Sequence, residues 1–237
     1  MTKCLLCHES IDSRFGWKEF LGMVQEKVIC NRCEVQFQLI KGEVCQRCGR
    51  EWMEVAAEHR YEKVCRDCWK WEEDTEYKGV LTCNRSVYHY NPFMKEVLAL
   101  YKFRGDAVLA EIFQAELRKT YRTHFQDLLV VPIPLSEKRL YERGFNQSVL
   151  LAQQLNKNVS IVEALTKSES GKQSKKGRYD RVDGENTFYV ARPEDIKDRK
   201  IVLFDDIYTT GTTIRMAAKR LKAAGAKEIS SLTLIRS

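Results

Sequence analysis

The chain has 237 residues, 43% hydrophobic and 31% charged, with a formal charge of +7. That composition excludes a disordered chain and leaves room for one sizeable core plus a smaller module. Its longest apolar run, Leu128 to Leu135, is interrupted by Pro132 and Pro134 and falls far short of the roughly 18 residues that a membrane helix needs. The opening MTKCLLCHES holds no apolar stretch of secretory length, so a cytoplasmic protein without membrane insertion is expected. The charge is uneven: residues 1–82 hold 13 Lys and Arg against 15 Asp and Glu, residues 83–237 hold 27 against 18. The basic surplus sits in the C-terminal two-thirds, where it favours polyanions such as phosphate esters or nucleic acid.

In chain order, the first 82 residues are dominated by cysteine. Eight of nine fall in C-x-x-C pairs: Cys4 and Cys7, Cys30 and Cys33, Cys45 and Cys48, Cys65 and Cys68. That spacing lets two thiolates of one tight turn reach the same ion, and two such turns complete a tetrahedral site, so four pairs imply two Zn²⁺ ions. Disulfides would need an oxidising compartment that nothing else in the chain supports. Cys4 to His8 spells a haem-attachment string, but the other three pairs lack the histidine. A thioredoxin-type pair would sit on a βαβ pattern, which this segment lacks. With thiolates filling every position, the role is structural. Consecutive pairing of the turns and a cross-braced arrangement both satisfy the spacing. Gly49, after Cys48, suits a turn that packs against a thiolate, and the ninth cysteine, Cys83, reads as a free buried thiol.

From Ser86 onward helices and strands alternate. Phe93, Val97, Leu100 and Tyr101 share a helical face, and Leu109, Ile112, Phe113 and Leu117 mark a second helix over Ala107–Tyr121. A buried strand is expected at Leu128–Pro132. A helix through Val149, Leu150, Ala152 and Leu155 follows, then a short strand at Val159–Ile161. The last elements are a strand at Ile201–Phe204, a helix from Thr212 to Ala224 closed by Gly225, and a strand at Ile229–Ile235. Such alternation argues for a mainly parallel α/β sheet flanked by helices, over residues 83–237, behind a cysteine module of residues 1–82.

The stretch IVLFDDIYTTGTTI, Ile201 to Ile214, carries the chemistry. Ligands of open parallel sheets lie beyond the carboxyl ends of the strands, where Asp205 and Asp206 stand. Thr209, Thr210, Gly211, Thr212 and Thr213 follow at a helix start, where free N–H groups and the helix dipole favour an anion. Carboxylates beside a phosphate loop are compatible with a ribose diol, which donates to them, and with Mg²⁺, which offsets their repulsion from a pyrophosphate. Neither the G-x-x-x-x-G-K-[ST] nor the G-x-G-x-x-G string occurs.

This loop resembles the phosphoribosyl-pyrophosphate (PRPP) motif of type I phosphoribosyltransferases. With VVPIPLSEKRLYERGFNQS, Val130 to Ser148, and the cysteine pairs ahead of it, the whole chain resembles the ComF family of competence-associated, phosphoribosyltransferase-like proteins. The resemblance implies that Asp205 and Asp206 hold the ribose hydroxyls and Thr209 to Thr213 the 5-phosphate. It places the pyrophosphate loop at Pro134, Leu135 and Ser136, followed by Lys138 and Arg139, and the flexible lid at Lys167 to Arg181. Elements that select an acceptor would lie near Ser86 to Asn91, where Tyr88, His89 and Tyr90 either stack on a ring or fill the core. No residue is assigned to catalysis.

The family's link to uptake of single-stranded DNA, with the basic C-terminal region, points to a DNA groove near Lys138, Arg139, Arg143, Lys172, Lys175, Lys176 and Arg178. The zinc module would then dock a protein of the uptake machinery. Two other functions fit the same residues: an active Mg²⁺-dependent phosphoribosyltransferase acting on a nucleobase or amine, and a non-catalytic scaffold that works through its zinc module.

Overall fold

The computed structural model describes residues 2–11, 27–103, 106–168 and 187–237. The cysteine-rich part contributes a one-turn helix α1 (Asn31–Glu34), a two-residue ladder of β1 (Arg60–Tyr61) with β2 (Val64–Cys65), and helix α2 (Arg66–Glu73). Strand β3 (Asn84–His89) opens the larger part, followed by helix α3 (Pro92–Phe103), a 3₁₀ segment (Ala107–Phe113), helix α4 (Gln114–His124) and strand β4 (Leu129–Pro132). Two short helices, α5 (Glu137–Arg143) and α6 (Gln147–Gln153), lead to strands β5 (Leu165–Lys167) and β6 (Phe188–Val190). Helix α7 (Pro193–Ile196), strand β7 (Lys200–Tyr208), helix α8 (Thr212–Ala223) and strand β8 (Glu228–Arg236) complete the chain.

Strands β3, β8, β7 and β4, in that spatial order, form one parallel sheet. The residues of β4, and Ile201 to Phe204 of β7, are all buried, as expected of parallel strands covered on both faces. On one face, Ile214, Ala217, Ala218 and Leu221 of α8 pack against Leu129, Val131, Ile201, Leu203 and Ile229. On the other, Met94, Val97 and Tyr101 of α3, Leu117 and Tyr121 of α4, and Leu151 of α6 cover Val130, Val202, Phe204, Leu232 and Leu234. Cys45, Cys48, Cys65 and Cys68 belong to the α8-side core, whereas Cys4 and Cys33 form a separate small core with Ile11 and Ile29.

Several expectations need correction. Of the two readings of Ser86 to Asn91, the core one holds for Tyr88: residues 84–89 are a sheet strand, paired in parallel with β8. Tyr88 is buried against Phe37 and Phe113, and His89 meets Glu51 and Glu54. The helix expected over Ala107–Tyr121 begins as a 3₁₀ segment and becomes α-helical only at Gln114. Val159–Ile161 makes a single bridge, Ile161 to Val130, rather than a strand. Strand β7 runs on to Tyr208, so Asp205 and Asp206 lie inside its ladder rather than past its end. Leu155 lies beyond the end of α6.

Candidate functional site

The cysteines settle into two clusters by consecutive pairing: Cys4, Cys7, Cys30 and Cys33 in one, Cys45, Cys48, Cys65 and Cys68 in the other, with all ligand atoms of a cluster within 4.8 Å of one another. Across the knuckles, Cys7 Sγ lies 3.6 Å from Cys30 Sγ and Cys48 Sγ 3.7 Å from Cys65 Sγ. Four thiolates bonded at about 2.3 Å to a tetrahedral ion have to be about 3.8 Å apart, so both clusters fit that geometry. The first turn of each ribbon closes the same way, with the N–H after the second cysteine donating to the carbonyl of the first: His8 to Cys4 and Gly49 to Cys45, each at 2.9 Å. That closure demands left-handed backbone at His8 (φ 61°) and Gly49 (φ 71°). At Gly49 a side chain is also excluded, because a Cβ would press on the Asn84 carbonyl at 3.0 Å.

At the carboxyl edge of the sheet, the β4–β7 pairing of Pro132 with Phe204 brings the turn after β4 beside the last residues of β7. Residues 133–136 leave β4, tied back by the Ile133 N–H on the Phe204 carbonyl at 2.9 Å, while Asp205 and Asp206 follow Phe204. The string Arg143 to Ser148 assembles this edge. The Arg143 guanidinium donates to Gln147 Oε1, and Gly144, at φ 77°, ends α5. Phe145 packs on Tyr101. The Asn146 side chain caps α6 and donates to the Ile133 carbonyl at 3.1 Å, and the Gln147 carbonyl accepts from Tyr101 Oη. Ser148 Oγ donates to Asp205 Oδ1 at 3.0 Å, beside the Asp206 N–H at 2.9 Å.

The two aspartates are held differently. Burial first, and the Asp206 charge second, push the Asp205 carboxyl up to about 7, against the two hydrogen bonds and Lys102. Asp206 is ion-paired with Lys102 of α3. Arg143 and Lys167 are both lowered by burial; Asp206 then Asp205 act against this at Arg143, and Asp205 at Lys167, while Arg139 adds to the lowering at both. Lys102 of α3 thus contacts the acids directly, and Arg143 of α5 and Lys167 of β5 feel their charge. Lys167 also lies over the Phe188 ring at 4.9 Å.

The threonine loop opens to solvent: Thr209, Thr210, Thr212 and Thr213 are exposed and Gly211 is buried. The hydroxyls of Thr210 and Thr212 meet at 2.8 Å, and the Thr212 N–H reaches Thr210 Oγ1 only at 3.4 Å, too long to hold that donor against an anion. Gly211 adopts φ 82°, and a Cβ there would fall 2.2 Å from Tyr208 Oη and 2.4 Å from Arg215 Nη1. Only glycine fits.

Of the residues expected at the site, Asp205, Asp206, Leu135, Ser136 and Thr209 to Thr213 gather at this edge. Lys138 and Arg139 are exposed on α5, where Lys138 faces Glu142 at 4.0 Å. Of the DNA set, Arg143 is half-buried beside the acids, while Lys172, Lys175, Lys176 and Arg178, with most of the expected lid, lie outside the described residues. Cys83 is partly exposed, its thiol 3.7 Å from Ser230 Oγ. Sequence reasoning missed Lys102, Ser148, Trp71, Tyr208, Arg215 and Arg236. Ser148 closes the Val130–Ser148 string; the rest gave no local signal.

Comparison with known proteins agrees with this architecture. Residues 142–237 match the phosphoribosyl transferase domain family. The chain is 37% identical to competence protein ComFC of Bacillus subtilis (strain 168), over 99% of this chain and 95% of that protein. It is 32% identical to competence protein ComFC of Streptococcus pneumoniae (strain ATCC BAA-255 / R6), over 99% of this chain and 100% of that protein. The DNA utilization protein YhgH of Escherichia coli (strain K12) is 30% identical over 54% of this chain and 57% of that protein. Two four-cysteine ribbons ahead of a parallel phosphoribosyltransferase-like sheet, together with likeness along nearly the full length, show that this chain belongs to the ComF family of competence proteins.

Proposed function

We propose that the protein handles single-stranded DNA during natural transformation and carries a PRPP site with Mg²⁺ at the carboxyl edge of its sheet. The names of its relatives, competence protein and DNA utilization protein, support the process. The observation that carries the ligand is the pair of acids with Lys102, Arg143 and Lys167 about them, on the strand that runs into the open 209–213 loop. In this reading Asp205 and Asp206 accept the ribose hydroxyls and Thr209 to Thr213 donate to the 5-phosphate. Leu135, Ser136, Lys138 and Arg139 face the pyrophosphate. The hard carboxylate oxygens suit Mg²⁺, which supplies charge neutralisation between acids and pyrophosphate; Asp206 must give up its Lys102 contact to take part.

Zn²⁺ is the ion we assign to both cysteine clusters, in a structural role. DNA would follow α5, where Lys138, Arg139 and Arg143 offer phosphate contacts and Tyr141, 92% exposed, offers a ring for base stacking; Lys172, Lys175, Lys176 and Arg178 extend the surface. The division at residue 82, a cytoplasmic location and docking of an uptake-machinery protein on the zinc module complete the proposal. An active phosphoribosyltransferase is the second reading, favoured by the completeness of the acid, loop and cation set. Fluorescence anisotropy of a single-stranded oligonucleotide, with and without Mg²⁺–PRPP, tests the first reading. Affinity should fall at least tenfold as salt rises from about 50 to about 200 mM, and fall again in Arg139→Glu with Arg143→Glu. Salt-independent binding would remove the electrostatic basis of the DNA role.

A further inference from the structure

We infer that Trp71 of the second cysteine ribbon, and through Arg236 the metal centre itself, hold the 209–213 loop in its open, receiving conformation. The loop is short and exposed, so something outside it has to fix its path. Its support comes from two directions. Beneath it, Tyr208 takes Arg215 Nη1 on its hydroxyl at 2.6 Å and Arg236 Nη1 on its carbonyl at 3.1 Å. From the side, Trp71 Nε1 donates to the Thr210 carbonyl at 3.1 Å, across 139 residues of sequence, and its ring lies 4.7 Å from the Arg215 guanidinium.

Both arginines are buried, Arg215 1% and Arg236 3% exposed. Among the described residues neither has a carboxylate partner. Unpaired charge is expensive to bury, so a counter-charge has to lie near. Arg236 Nη2 lies 3.9 Å from Cys48 Sγ, and a divalent ion in four thiolates leaves that cluster with a net charge of about −2. The cluster whose geometry fits a tetrahedral ion is thus also the anion that balances the guanidinium gripping the root of the loop. Trp71 and Arg236 are positioning residues: neither belongs to the ligand contacts assigned above.

The consequence for affinity rests on the phosphoribosyl reading; the anchoring does not, and the test separates the two. Trp71→Phe keeps the ring and removes the donor. Backbone ¹⁵N order parameters of residues 209–213 in the ligand-free chain should then fall from about 0.85 to below about 0.6, with the metal content of both clusters unchanged. Unchanged loop order parameters overturn the role of Trp71. Cys65→Ser, which removes a ligand of the second cluster alone, should lower the order parameters of the loop while those of β4 stay high. A loop that stays rigid without that metal, or a loss of order that includes β4, overturns the role of the metal. Titration with Mg²⁺–PRPP then reads the consequence: wild type binds and Trp71→Phe binds about fivefold more weakly. Equal affinities overturn the link to the site, while a wild type that binds nothing overturns only the phosphoribosyl reading.

Discussion

The two ribbons share a ligand set and the closure of their first turn, and differ in how they meet the larger part. In the first, Cys7 and Cys30 are partly exposed, and the segment that follows meets the larger part through rings and backbone alike: Phe37 meets Tyr88, Phe93 and Phe113 with ring centroids 5.0–5.7 Å apart, the Ile40 N–H donates to the Val87 carbonyl and the His89 N–H to the Gln38 carbonyl. In the second, all four cysteines are buried within the core of the sheet. Buried polar side chains add directed contacts there. Asn84, fully buried, donates to the Cys48 carbonyl and the Ser86 hydroxyl and accepts from Ser231. The hydrogen bonds of the first ribbon's segment end on the edge strand β3, whereas those of the second, with its counter-charge, reach the 209–213 loop and its root. The lesson is that one metal motif serves as a peripheral attachment at one end of the cysteine segment and as a wall of the candidate site at the other.

The sharpest way to break this contrast is Gly211→Ala. A methyl group there strains a left-handed backbone and displaces Tyr208 and Arg215, so a loss of about 3 kcal/mol is expected along with phosphoribosyl affinity. The disturbance should reach Trp71 and spare the first ribbon, as ring-current shifts in NMR spectra would show. Phe37→Ala is the converse. It should cost about 2–3 kcal/mol by denaturant unfolding and loosen the first ribbon, yet leave ligand affinity within about twofold.

Asp205→Asn sharpens the comparison by touching neither ribbon. Because the folded carboxyl is raised from 3.8 to about 7, its ionisation costs the folded state. That cost is full above pH 7 and fades as the pH falls through 7 toward 4. The variant should therefore gain about 1–2 kcal/mol at pH 8, lose that gain by pH 4, and lose affinity throughout. Wild-type affinity should itself decline below pH 7, as the acceptor takes up a proton. The smallest effect is expected from Glu76→Ala, which removes an exposed ion pair with Lys219 between the second ribbon and α8; about 0.5 kcal/mol in thermal unfolding is the limit.

Much of this was legible in the chain because it depends on local spacing. The cysteine pairs, the apolar strands β4 and β7, and the aspartates with their threonine loop are all patterns within a few residues. Strand β3 was not legible. Its residues NRSVYH mix polar and apolar types because Asn84 and Ser86 are buried and satisfied by Ser231 and Thr233 of a strand that comes 147 residues later. Nor could spacing reveal that Lys102 pairs with Asp206 or that Trp71 reaches Thr210, since those contacts join elements far apart in the chain. The acid pair was visible; that Ser148 holds one member and Lys102 the other emerges only in three dimensions.

Isothermal titration of the zinc-loaded protein with Mg²⁺–PRPP tests the cradle itself most directly. One saturable site per chain is predicted, abolished in Asp205→Asn with Asp206→Asn while both metal clusters stay filled. Absence of binding to the wild-type protein, or equal binding to the double variant, would contradict the assignment of this sheet edge to a phosphorylated sugar.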